Sequence, residues 1–314
     1  MTMKTVIRLV LAGAASLLTC TASLAVDADA PIRLGVGVDP AFSPIYYAVQ
    51  QKLFDKAGVK VEMLQLAQAA DAADGVIAGQ NPMAGGSETT MITRAGRGDV
   101  RAIAVYGQSG TFIKLVVREG ITEPRQLRRI GVVPGSASQF VSGKLLAKYG
   151  MDEKAITWVR GAPPEFPALL ARGDVDGYFL WEPWPTRGVQ AGGKVLMTSA
   201  DVGYSYNMLL AASGPWLEKN REQARRVVQA LQQACSEIRA DPEKAAVATQ
   251  QATKIPIAQA RDLLKDVECV VRDFTPQDLA TYNEIADFLQ AQKATAQRVD
   301  IGKMIQPGFA GGAK

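Results

Sequence analysis

The sequence predicts an α/β fold of two lobes, each a mostly parallel sheet flanked by helices, with a helical C-terminal region. Three observations carry this reading. Short apolar runs alternate with amphipathic stretches and glycine stops through the first third of the chain, the same alternation restarts at residue 113, and strand signals vanish after Pro215. Strand–helix alternation of this kind favours parallel pairing through right-handed crossovers. A chain of 314 residues, 47% apolar and 21% charged, is long enough to bury a large core as one big domain or two medium ones.

The elements follow in order. Residues 32–38 form an apolar strand. Ser43-Pro44 then reads as a helix start, with serine as cap and proline in the first turn. Ile45, Val49 and Leu53 recur at four-residue spacing, and Gly58 supplies the left-handed stop. Val59, Val61 and Met63 alternate with Lys60 and Glu62 as a second strand. A helix over 70–78, a short strand ending at Gly85-Gly86, a helix from Ser87 or Glu88 and a strand over 100–106 complete the first set.

The second set opens with a strand over 113–117, a short helix at Glu123-Pro124 and a strand over 130–133. Ser136 or Ser138 caps a helix that runs to Tyr149 and stops at Gly150. An extended segment over 156–159, a helix begun by Pro163-Pro164-Glu165 and closed by Gly173, and a strand over 178–181 follow. The two halves echo one another: in each, a helix end, a glycine (Gly79 or Gly173) and a short strand meet a loop. After a strand over 208–212, helices are expected over 219–239, 242–253, 256–265 and 276–292, with a frayed tail over 308–314.

Charge and composition exclude several functions. Lys plus Arg number 35 against 31 acidic residues, too balanced for a nucleic-acid groove. There is no histidine, which removes Ser-His-Asp and Cys-His catalysis and any imidazole metal site. Gly135-Ser136-Ala137-Ser138 lacks the lysine of a P-loop, and Gly35-Val36-Gly37 does not continue into a dinucleotide fingerprint. No metal and no cofactor is expected.

Lys4 and Arg8, a short apolar run and Ser23-Leu24-Ala25 together read as a secretory leader over 1–25, cleaved near Ala25. The apolar run is too short to span a bilayer. Leu17-Leu18-Thr19-Cys20 faintly resembles a lipoprotein box, but Thr19 is bulkier than the residue that usually precedes a lipidated cysteine. Export leaves Cys235 and Cys269, either joined in one disulfide or buried as two thiols.

Three serine loops lead into helix starts: Phe42-Ser43-Pro44, Gly86-Ser87-Glu88 and Gly135-Ser136-Ala137-Ser138. Free N–H groups and hydroxyls there can cradle an anion, although serine at a helix start is also an ordinary cap. Trp181-Glu182-Pro183-Trp184 ends a buried strand, where aromatic faces can wall a pocket and Glu182 can accept an amine; Glu182 can equally cap its own loop. Tyr204, Tyr206 and Asn207 form a second polar-aromatic group before the 208–212 strand, with core or hinge packing as the alternative, and Trp184 reads first as packing. Asp174 and Asp176 read as solvated turn residues.

Pro44-Ile45-Tyr46-Tyr47-Ala48 with Leu53-Phe54-Asp55-Lys56-Ala57-Gly58-Val59 resembles the opening of solute-binding proteins of nitrate/sulfonate/taurine-type ABC importers, in the thiamine-pyrimidine synthase-like superfamily. Gly86-Ser87, Gly135-Ser136-Ala137-Ser138, Pro163-Pro164-Glu165, Gly173-Asp174-Val175-Asp176-Gly177 and Trp181-Glu182-Pro183 match later landmarks in order, so the resemblance covers about 32–217. It implies a periplasmic binding protein fold of type II, with one lobe over 26–110 plus 208–314, the other over 111–207, and crossings near 107–113 and 203–207. It implies Ser43, Ser87, Ser136, Ser138, Trp181 and Glu182 as pocket residues: Ser136 and Ser138 on the acidic group, Trp181 along the apolar body, Glu182 on an amine. The ligand is then a small organic anion or zwitterion, and the partner an ABC permease in the inner membrane, served by a periplasmic monomer. Glu88 departs from the small residues usual after the serine, and a carboxylate there disfavours nitrate and sulfate. Two other readings share the fold: a periplasmic ligand-sensing subunit, and a thiamine-pyrimidine-related binding protein or synthase. The synthase draws on a histidine that this chain does not have.

Overall fold

Asp39, rather than Ser43, begins the first helical segment after the opening strand. In the computed structural model, which describes residues 30–311, β1 (Ile32–Val36) leads into a tight turn over Pro40–Phe42 and then into α1 (Ser43–Gln50). Asp39 Oδ1 accepts the Ala41 N–H at 2.9 Å, and Pro40 fills the first position, so the cap has moved one turn upstream of the serine. The helix does not continue through Leu53 either. Lys52 takes a left-handed φ of 53°, the chain resumes as α2 (Leu53–Lys56), and Gly58 stops it at φ 78°.

The order then follows the alternation closely: β2 (Val61–Gln65), α3 (Ala69–Ile77), β3 (Met83–Ser87), α4 (Glu88–Ala95), β4 (Val100–Ser109), β5 (Ile113–Val117), β6 (Arg129–Val132), α5 (Ala137–Tyr149), β7 (Thr157–Arg160), α6 (Phe166–Ala171) and β8 (Gly177–Trp181). The segments at Pro124–Gln126 and Pro163–Glu165 are tight 3-10 turns rather than full helix starts. Two elements carry no clear signal in the sequence, α7 (Trp184–Gln190) and β9 (Lys194–Thr198). The helix is short and holds Pro185 and Gly188, and the strand is a half-exposed edge without a buried apolar run. After β10 (Tyr206–Ser213) come α8 (Gly214–Lys219), α9 (Arg221–Ala240), α10 (Glu243–Thr253), α11 (Ile257–Leu264), α12 (Pro276–Ala291) and α13 (Ile301–Met304).

The strands form two five-stranded sheets of equivalent order, β2-β1-β3-β10-β4 and β7-β6-β8-β5-β9. In each, two pairings are parallel and two antiparallel, so the sheets are mixed rather than mostly parallel. The cause is the crossing: β5 follows β4 out of the first sheet, β10 follows β9 out of the second, and each enters its new sheet antiparallel to both neighbours. The echo between halves has a structural counterpart. Gly79 and Gly173, at φ 71° and 76°, precede the equivalent strands β3 and β8.

Strand interiors are buried on both faces, as with Leu34, Val36, Ala84, Leu209 and Leu210. The C-terminal helices cover the first sheet, α9 and α10 packing on α1. Cys235 of α9 and Cys269 are joined by a disulfide, with Cα atoms 5.2 Å apart. The segment after α11 is not free of strand character: Glu268 and Arg272 bridge onto β4, as does Ile305 further on.

Two expectations need correcting. Residues 308–310 are docked, not frayed: Phe309 and Ala310 are buried, Gln232 donates to the Ala310 carbonyl, and Arg221 stacks 4.6 Å from the Phe309 ring centre. Asp176 is buried rather than solvated. It accepts the N–H groups of Arg128 and Arg129 at 2.9 and 2.8 Å and pairs with the guanidiniums of Arg118 and Arg129 at 3.0 Å. Burial alone would raise its carboxyl; these four contacts outweigh it and leave it lowered. The leader over 1–25, with Cys20, lies outside the described residues.

Candidate functional site

A cavity of about 160 Å³ lies where loops of the two sheets meet. From the first sheet, the loop after β1 brings Val38, Asp39 and Phe42, the loop after β2 brings Gln68, and the end of β3 brings Ser87 with Thr90 of α4. From the second, the loop after β7 brings Ala162 to Pro164, and the end of β8 brings Trp181 and Trp184. Tyr206, at the start of β10, closes the wall. Apart from Tyr206, these positions follow the carboxyl ends of strands, where open α/β sheets bind their ligands.

Of the six expected pocket residues, Ser87 and Trp181 line this cavity. Ser87 caps α4, its Oγ accepting the Thr90 N–H at 3.2 Å and donating to Thr90 Oγ1 at 2.9 Å. The other four are engaged elsewhere. Ser43 is buried in the first turn of α1. Ser136 caps α5, its Oγ donating to the Val133 carbonyl at 2.8 Å and accepting the Ser138 N–H at 3.2 Å. Ser138 is fully buried, with its Oγ facing the Val133 N–H at 3.3 Å. Their loop packs against α4 instead of opening to the cavity: Thr93 Oγ1 donates to the Gly135 carbonyl at 2.9 Å.

Glu182 is 1% exposed and has both oxygens occupied. Lys114 Nζ of β5 pairs with it at 2.8 Å, and the Thr186 N–H of α7 donates to it at 3.1 Å. Lys114 also reaches Asp266 at 2.7 Å. Burial would lower the Lys114 ammonium, but the two carboxylates outweigh it and raise it. Glu182 is thus held by Lys114 and Thr186 and does not line this cavity.

Glu88 has likewise turned away from the cavity. It is fully buried and accepts the Tyr204 hydroxyl and the Asn207 N–H, the latter at 3.0 Å. Asn207 in turn donates to Asp278 at 2.8 Å and to Tyr282 at 2.9 Å. Burial pushes the Glu88 carboxyl up to about 8, with the hydrogen bonds from Tyr204 and Asn207 opposing. The expected repulsion between Glu88 and a simple anion therefore has no geometric basis.

Among the lining residues outside the sequence expectation are Asp39, Thr90, Trp184 and Tyr206. Asp39-Pro40 carries a signal, since acid then proline is as good a helix start as Ser43-Pro44. Trp184 and Tyr206 give none beyond aromaticity, because packing and lining look alike in sequence.

Residues 39–245, well over half of the chain, match the family described as NMT1/THI5 like. The chain belongs to that family. This NMT1/THI5-like protein is 25% identical over 192 residues to the taurine-binding periplasmic protein of Escherichia coli (strain K12), a match covering 60% of the chain. It spans 59% of the length of that relative. The crystal structure of the periplasmic aliphatic sulphonate binding protein SsuA from Escherichia coli superposes at a TM-score of 0.78 with 18% identity, covering 88% of this chain and 98% of that one. A mutant of the enzyme DszB, in complex with biphenyl-2-sulfinic acid, superposes at 0.65 with 15% identity, covering 89% and 98%. At these identities the two structures are similar in fold, and the fold hosts both binding and catalysis.

Proposed function

We propose that this chain is the exported solute-binding component of an ABC importer, and that it clasps a small organic acid of the sulfonate or taurine type between two lobes. The observation that carries the reading is the cavity at the strand ends of both sheets, sized for a small molecule and reached by side chains of each. Family membership and the taurine-binding relative support the ligand class. On this reading residues 26–110 with 208–314 form one lobe and 111–207 the other; the leader is removed near Ala25, and the mature monomer meets a permease at the inner membrane. Thr90, whose Oγ1 accepts from Ser87 and keeps its own hydrogen, supplies the hydroxyl donor for the acidic group, backed by Ser87.

Among the described residues, nucleophilic catalysis by a cysteine or a histidine has no residue to carry it. The chain has no histidine, and among the described residues both cysteines are consumed by the disulfide, leaving no thiol nucleophile.

Thermal unfolding of the mature protein against taurine, ethanesulfonate, MOPS, nitrate and a pyrimidine tests the reading. A ligand at a hundred times its Kd adds about 2.7 kcal/mol of stability, enough to move the melting temperature by several degrees. A stabilising sulfonate is expected; a panel in which only nitrate or the pyrimidine stabilises overturns the ligand class.

A further inference from the structure

Among the described residues lining the cavity, Asp39 is the one charged side chain and there is no lysine or arginine. Its Oδ1 accepts the Ala41 N–H at 2.9 Å, and no described cation pairs with it. Around it the wall is aromatic: Phe42, Tyr206, Trp181 and Trp184. Trp184 already carries Arg187, with 4.8 Å from the guanidinium to the ring centre, whereas no described cation stacks on Trp181. A half-buried carboxylate without a counter-charge is unfavourable, and a cation that enters gains both the ion pair and an aromatic face. A plain anion gains neither and is repelled.

We propose that Asp39 is the specificity-determining residue of this cleft, and that its ligand carries a protonated amine seated between the Asp39 carboxylate and the Trp181 ring. The acidic end then lies toward Ser87 and Thr90. The assignment rests on reading the cleft as a ligand site and narrows the substrate class to amino-acids in the broad sense, amino-sulfonates included.

The electrostatics of Asp39 agree. Burial pushes the Asp39 carboxyl up to about 7, against the pull of the Ala41 N–H. The titratable groups that sense its charge are the phenols of Tyr46, Tyr106 and Tyr206, all raised and therefore neutral through this range. The Tyr106 hydroxyl is buried without a hydrogen-bond partner among the described residues. A bound ammonium favours the ionised carboxylate, so binding releases a proton below pH 7, and amine affinity weakens as pH falls.

Calorimetry on wild type and Asp39→Asn, with taurine, ethanesulfonate and propylamine as probes, tests this. Asparagine caps a helix start as well as aspartate does, so the variant keeps the turn and loses the charge. At pH 8 wild type is expected to bind taurine at least tenfold tighter than ethanesulfonate, with the gap shrinking to within about threefold in Asp39→Asn. In wild type alone, taurine affinity should drop by up to tenfold per pH unit from 7 to 5; this arm needs no variant to fold. Equal binding of taurine and ethanesulfonate, or a taurine preference that survives in Asp39→Asn, overturns the Asp39 assignment and leaves the sulfonate reading standing. Propylamine binding that depends on Asp39, with no sulfonate bound, supports the assignment and overturns the sulfonate reading. No binding by any probe discards both.

Discussion

At the scale of single residues, the molecule separates polar groups that hold the frame from those left open to a ligand. Glu182, Ser136 and Ser138 all have their hydrogen bonds made within a few residues or across one strand pair. Removing a partner from such a group leaves a buried orphan, which costs more than the contact itself yields. Glu182→Gln keeps the acceptor for Thr186 but takes the charge from Lys114, which falls back on Asp266 alone. We expect a loss of about 1–3 kcal/mol in the empty protein. Relative affinities for ligands with and without an amine should stay unchanged. Chemical denaturation beside calorimetry checks both; a selective loss of amine ligands would return Glu182 to the pocket.

At the scale of elements, the cleft wall depends on how closely α7 sits on its sheet. A Cβ on Gly188 would lie 2.0 Å from the Tyr178 hydroxyl and 3.1 Å from a methyl of Val116, so glycine is required by the approach of helix to sheet. Tyr178 also donates to the Trp184 carbonyl at 3.1 Å, tying the start of the helix to β8. Gly188→Ala forces α7 outward and moves Trp184 with it. Overpacking of this kind costs about 1–3 kcal/mol. The expected outcome is a lower melting temperature together with weaker ligand binding, whereas a helix that simply tolerates the methyl would show neither. Most elements are legible in the sequence because their signals are local. Ser87 and Ser136 cap helices as their positions predict, Gly150 ends α5, and buried strands declare themselves as apolar runs. The break at Lys52 is not legible, since lysine carries no preference for a left-handed φ.

At the scale of the whole molecule, the two sheets are joined by two crossings, between β4 and β5 and between β9 and β10, and Glu88 is fastened to the second. Contacts also span the sheets' flanking helices: Phe140 of α5 meets Phe288 of α12 edge-on at 5.4 Å, and Lys144 pairs with Glu284 at 2.7 Å. A carboxyl whose folded pKa lies above its unfolded one, as at Glu88, binds more protons in the folded state. Its contribution is therefore whole below about pH 4.5 and is lost as pH rises through about 8. We expect the empty protein to lose stability over that window, at a rate of at most about 1.4 kcal/mol per pH unit from this one group. Glu88→Gln, which can still accept from Asn207, should flatten the upper part of the profile. An unchanged profile between pH 6 and 8 would show that Glu88 is not the group responsible.

The sequence by itself determined the alternation of strands and helices, the restart that makes two sheets, the capping chemistry and the family landmarks. Each of these is set by neighbours along the chain. Only the tertiary structure decided which loops face the cavity. Three serine loops look equivalent in sequence, yet Ser87 lines the cleft, whereas Ser136 and Ser138 turn inward beside α4 and Ser43 sits inside α1. Glu88 reads as a pocket carboxylate and is part of the crossing; Asp39, which the sequence does not single out, is the one charged side chain among the described residues lining the cleft. The reason is physical: a polar side chain's partners are fixed by which sheet its loop is pressed against, and that contact joins segments far apart in the chain.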